Sequence, residues 1–164
     1  LQIKQLIFIP GNVPSSKNSK QRTKNGAIVH GKAVKRYLQA LGIKKYSCRQ
    51  GSAYMEDYKT KPNLFKRKFN DSGWETPQEF CYLGFHFVRQ TKALFDFSNM
   101  VQIIQDLMVA GGFLMEDNID CIIPINMTKN GKRWTKDKDN PGVWVAEITP
   151  DKEPDIYDFF RKDC

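Results

Sequence analysis

Residues Phe95–Asp117 read FDFSNMVQIIQDLMVAGGFLMED. Met100, Ile103, Ile104, Leu107 and Met108 recur at three- and four-residue spacing, which predicts an apolar helix side. Ser98 or Asn99 supplies the expected N-cap, and the helix runs to about Ala110. Gly111-Gly112 stops it. Asn99, Gln102 and Asp106 fall three and four residues apart on a neighbouring, polar face. One carboxylate, Asp96, precedes the helix, and a cluster of Glu116, Asp117 and Asp120 follows it.

The flanking segments decide the fold class. Residues 79–89, EFCYLGFHFVR, alternate so that Cys81, Leu83, Phe85 and Phe87 share one face. Tyr82, Gly84, His86 and Val88 share the other. Neither face is fully polar, as expected for an inner strand covered on both sides, and His86 is expected to pack or hydrogen-bond there. Ile119–Ile125 reads as the next strand, interrupted by Pro124. Further strands are expected at 2–9 and at Val143–Thr149. Residues 128–142, with Asn130-Gly131 and Asn140-Pro141-Gly142, form a basic hairpin-like loop. The expectation is one small α/β domain over residues 1–164, or its α+β variant, with packed helices on a mixed sheet.

Elsewhere, residues 11–27 read as a long surface loop, followed by a short extended piece at Ala27–His30. Val34, Tyr37, Leu38 and Leu41 predict a helix from Lys32 to about Leu41. Residues 42–76 carry no sustained period and are expected as an irregular excursion or insertion, with a second helix around Ala53–Tyr58. The acidic-aromatic tail after Pro150 either packs or frays.

Charge is distributed unevenly. Residues 1–55 hold eleven Lys and Arg and no Asp or Glu, whereas the remainder holds fifteen basic and eighteen acidic residues, a net of −3. An acid-free basic third points to a polyanion partner, and otherwise to a solvated face. Lys17, Asn18, Lys20 and Arg22 lie on one loop that can contact several phosphates without reading bases. Lys92, Lys129, Lys132 and Arg133 offer further cations, and Trp134 could stack on an unpaired base.

Cys48, Cys81, Cys121 and Cys164 lack paired spacing, and only His30 and His86 accompany them, so the pattern speaks against zinc. Unpaired thiols fit a cytoplasmic protein. No apolar stretch is long enough to span a bilayer, so no membrane partner is expected.

The carboxylates have two readings. Asp96 can cap a helix while Glu116, Asp117 and Asp120 face solvent. Alternatively, they hold a hard divalent cation such as Mg²⁺ against a phosphate. A dozen helical residues rise roughly 18 Å, so Asp96 and Asp117 share one ion only if the chain folds back or a dimer joins them.

Over residues 95–118 the sequence resembles the RusA-like Holliday junction resolvase family. The family pattern is Asp-x-Asp-Asn at a helix start, an apolar helix, Gly-Phe and a closing Asp-Asp. Here it reads Asp96-Phe97-Ser98-Asn99, then VQIIQDLMVA, then Gly112-Phe113 and Glu116-Asp117. Pro14-Ser15-Ser16-Lys17-Asn18 resembles the family's N-terminal loop, and Thr128-Lys129-Asn130-Gly131 its late turn. The resemblance implies a homodimeric endodeoxyribonuclease that uses Mg²⁺, with Mn²⁺ as a substitute, to cut four-way DNA junctions in recombination and repair. It implies that Asp96 and Asp117 are the catalytic, metal-binding aspartates.

Two positions depart from the pattern. Ser98 stands at the family's second aspartate and Gln102 at a family lysine, while Asp106 matches another acidic position. Glu116, Asp120 or Asp106 could complete a metal shell, with Lys92 supplying the positive charge. The alternatives are a relative that binds branched DNA without cutting and a protein-interaction domain.

Overall fold

Every residue of the central strand is buried, from Cys81 to Arg89, because both of its faces carry apolar side chains against packed layers. The computed structural model describes residues 2–15, 20–22, 24–25, 28–43 and 62–149. The elements run β1 (Gln2–Pro10), β2 (Lys20–Arg22), β3 (Ile28–His30), α1 (Lys32–Ala40), α2 (Leu64–Asp71), β4 (Cys81–Arg89), α3 (Phe97–Gly111), β5 (Ile122–Asn126), β6 (Thr135–Lys136) and β7 (Gly142–Thr149).

Five strands make one mixed sheet, in the order β1-β7-β4-β5, with β6 pairing the far end of β4. β7 is antiparallel to both β1 and β4, while β5 and β6 are parallel to β4. Thus β1, β4, β5 and β6 all end at the same edge. Strand β4, helix α3 and strand β5 form the expected strand–helix–strand unit. The chain is a small mixed α/β domain of the α+β kind, with its described helices packed on one sheet face.

That face holds the main core. Leu83, Phe85 and Phe87 of β4 meet Val143 and Val145 of β7 and Ile7 and Ile9 of β1. Val34, Tyr37 and Leu38 of α1, Phe65 and Phe69 of α2, and Met100, Ile104, Leu107 and Met108 of α3 cover them. The opposite face carries a smaller cluster of Tyr82, Ala146 and Ile148, flanked by Phe80, Ile123, Ile125 and Met127. His86 lies on this second face. Its Nδ1 is 2.9 Å from the Met127 carbonyl and its Nε2 is 3.1 Å from the Thr135 hydroxyl. The expected structural role for this histidine holds.

Several sequence expectations are corrected. Residues 20–22 are not loop but pair with residues 28–30 as a small antiparallel ribbon. The stretch 42–76 contains a capped helix, α2, where no helix was expected. Asn63 accepts from the Lys66 N–H at 2.9 Å, and Phe65 and Phe69, one turn apart, insert into the core. Residues 53–58 lie outside the described residues, as does the tail after Pro150. Of the two N-caps expected for α3, Ser98 or Asn99 on the one hand and Asp96 on the other, the structure uses Asp96, which accepts from the Ser98 N–H at 3.1 Å. Strand β5 starts at Ile122, and Ile119 is exposed instead of paired. Gly112 ends α3 with φ +77°, a left-handed conformation that glycine adopts without strain.

Among the described residues no helix is long and apolar enough to cross a membrane.

Candidate nucleic-acid interface

Because four strands end at one edge, the loops that follow them collect there. In open α/β sheets the crevice beyond the strand carboxyl ends is the usual ligand position, and the parallel β4–α3–β5 unit repeats that local arrangement here. Residues 11–15 leave β1, residues 90–96 leave β4, and residues 127–141 connect β5, β6 and β7. Asn12 Oδ1 accepts from the Gln90 N–H at 3.4 Å, tying the first two loops together. Asp96 stands in the second, half-buried at the start of α3.

The third loop is built to present cations. Lys129 and Lys132 exchange backbone hydrogen bonds of 2.9 and 3.0 Å around Asn130-Gly131. Both turn residues have positive φ, 50° and 73°, as the primed hairpin turns require. The result leaves Lys129, Lys132, Arg133, Lys136 and Lys138 exposed. Lys129 Nζ also lies 5.7 Å from the Trp144 ring centroid. Lys92 is exposed on the neighbouring loop. Trp134 is half-buried, and its ring packs edge-on against Phe95 at 5.8 Å. Lys17 and Asn18 lie outside the described residues. Lys20 and Arg22 fall in β2.

Asp137 fixes the end of this loop. Its Oδ1 accepts from the Asn140 and Asp139 N–H groups at 2.9 and 3.0 Å. These bonds, that of Asn140 first, hold its carboxyl below the usual carboxylate range of about 3.8. A depressed folded value stabilises the loop above the ordinary value and loses that contribution as pH falls through the lower one. Acidification is therefore expected to release the Asp139 and Asn140 amides while the sheet amides remain protected. Hydrogen exchange followed by NMR checks this, and Asp137→Asn should remove the pH dependence.

The carboxylates divide between two ends of the domain. Arg89, the last residue of β4, donates from Nη1 toward Met100 Sδ at 3.3 Å, so the start of α3 sits at the end of β4. Glu116, Asp117 and Asp120 are exposed beyond the other end of α3. There the Cys81 N–H donates to the Cys121 carbonyl, and the Cys121 N–H to the Asn118 carbonyl, each at 3.1 Å. This pins the acidic loop to the start of β4. Fifteen residues of α3 span about 22 Å, and the polypeptide does not fold back along them. Ser98, Gln102 and Asp106 form an exposed stripe along α3, with Asn99 half-buried beside it.

Neither a protein-family model nor a curated protein matches this chain.

The fit to a divalent cation follows from the geometry alone. Among the described residues no three of His, Cys, Asp and Glu lie close enough to share an ion. Asp96 and Asp117 of one chain do not make a common centre, and neither Glu116 nor Asp120 joins Asp96. Asp106 lies in the third turn of α3, remote from both ends. One residue at the Asp96 end escaped the sequence reading. Arg89 is 6% exposed, and no signal separated it from a strand-terminal surface arginine.

Proposed function

We propose that the chain acts on four-way DNA junctions as a structure-selective endodeoxyribonuclease of the RusA-like kind, dependent on Mg²⁺ and working as a homodimer. The observation that carries this reading is the position of Asp96, on the same sheet edge as Lys92, Lys132, Arg133 and Lys136. A carboxylate among exposed cations suits a phosphodiester substrate, the cations holding phosphate oxygens. The motif around Asp96 and Asp117 adds the junction and the metal to that chemistry.

One chain does not fit the metal centre, so the reading requires a second copy. An isologous dimer that sets two α3 helices side by side in opposite directions would bring Asp96 of each copy toward Asp117 of the other. Cutting then has a distinctive test. In a mixed population of Asp96→Asn and Asp117→Asn chains, each heterodimer keeps one intact pair, supplied by different copies. If sites form between copies, mixing two inactive variants restores roughly a quarter of the sites and yields single nicks. If they form within a chain, mixing restores nothing. Labelled junctions in Mg²⁺, Mn²⁺ and EDTA provide the readout, with binding measured on the same samples.

The same separation, together with Ser98 and Gln102 at family aspartate and lysine positions, favours a second reading, in which the protein binds branched DNA without cutting. Salt-sensitive junction binding unchanged by metal, with no cleavage in any mixture, selects it. Under either reading, changing Lys132, Arg133 and Lys136 together to glutamine is expected to flatten the salt dependence of junction binding. The slope falls by about 0.9 for each phosphate contact removed. An unchanged slope takes this loop out of the interface.

A further inference from the structure

Arg89 is a buried cation without a counter-ion among the described residues. Among the described residues no carboxylate pairs with it, and its Nε has no hydrogen-bond partner at all. Its Nη1 meets only neutral atoms, the Val13 carbonyl at 3.2 Å and the Met100 sulfur at 3.3 Å. Its Cζ lies 5.0 Å from the Phe95 ring centroid. Charges taken out of water are ordinarily paired or bound to a ligand, because desolvation disfavours an unpaired ion. The first turn of α3 repeats the pattern, since Asn99 Nδ2 is also buried without a partner. Asn99 lies in the first turn of a fifteen-residue helix, next in sequence to the Met100 that Arg89 touches, and the backbone dipole there favours negative charge.

We propose that Arg89, Asn99 and the first turn of α3 form a subsite for a phosphate oxyanion. Arginine suits the task because its planar fork matches phosphate oxygens. Phe95 covers the guanidinium, and its half-buried ring belongs to the irregular segment before α3, so phosphate reaches Arg89 only if this ring turns aside. Trp134 follows, because it packs against Phe95. At the same end of α3 as Asp96, such a subsite would add a positive charge to a helix whose position 102 carries neutral Gln102. Assigning the phosphate to DNA rests on the junction reading; the anion subsite itself does not.

The test uses the whole chain, without metal or DNA. Inorganic phosphate is titrated against sodium chloride of matched ionic strength, and tryptophan emission and thermal midpoint are followed, with Trp134→Phe identifying the reporter. Saturable binding specific to phosphate is expected, weakened at least about tenfold in Arg89→Met. Met100→Glu should also suppress it, because a carboxylate beside Nη1 gives the guanidinium an internal partner. Wild-type protein that responds equally to phosphate and chloride overturns the subsite, as does an undiminished response in a folded Arg89→Met chain. Competition between phosphate and a four-way junction, lost with Arg89→Met, assigns the bound group to DNA. Specific phosphate binding without competition assigns it to a free phosphate and leaves junction binding to the loop cations.

Discussion

Asp96→Asn is expected to lower metal-dependent cutting of four-way junctions by at least about 100-fold, the scale set by removing one well-placed electrostatic group from a reacting centre. The fold should survive, because asparagine caps a helix about as well as aspartate and can accept the Ser98 N–H that Asp96 accepts. Asp96→Ala separates the two roles. It removes the charge and also the cap, adding a stability loss of about 1 kcal/mol. Equal midpoints for wild type and Asp96→Asn, with cutting lost only in the variant, place the effect in chemistry. Full cutting by Asp96→Asn would end the nuclease reading at this position.

Phe69→Ala should unfold the protein more readily than other single truncations outside β4, with an expected cost of about 3–5 kcal/mol. The ring is fully buried. It stacks on Phe113 at 4.5 Å, meets Trp74 edge-on at 5.2 Å and contacts Phe65 at 5.0 Å. These partners belong to α2, the turn after it and the segment after α3, so one cavity would loosen three pieces of chain. Trp74 Nε1 also donates to the Phe113 carbonyl at 3.0 Å, and that bond should weaken as well. Urea unfolding measures the loss. A cost below about 1 kcal/mol would mean that α2 collapses onto the vacancy.

Strand β4 and helix α3 were legible in the sequence because their signals are redundant. Alternation in β4 and three- and four-residue spacing in α3 each repeat over two or more turns or pleats, and Gly112 marks a clear stop. Helix α2 was hidden because its apolar content is Leu64, Phe65 and Phe69 among Lys, Arg, Asn and Asp, too short a pattern to outweigh the polar background. The α3 cap stayed open between Asp96 and Ser98 or Asn99 for a local reason: all three are good caps, and only the backbone geometry chooses. The site was legible as a set of residue types but not as an arrangement. Spacing placed Asp96 and Asp117 at opposite ends of a helix, and the sheet keeps them there. Arg89 was invisible because burial and the lack of a counter-ion are properties of packing, not of sequence.

The central position of β7 sets the order in which the molecule can assemble. Gln2 pairs with Thr149 and Pro10 with Gly142, while Val88 faces the same Gly142 from the other side. During synthesis β1 precedes β7, its one partner among the described residues, by more than a hundred residues. β4 and α3 can associate locally, yet the sheet closes only when β7 inserts between its two partners. Such distant pairing predicts slow, late-committing folding and makes any chain shortened within 142–149 lose two strand interfaces at once, leaving apolar β1 and β4 edges open to association with other chains.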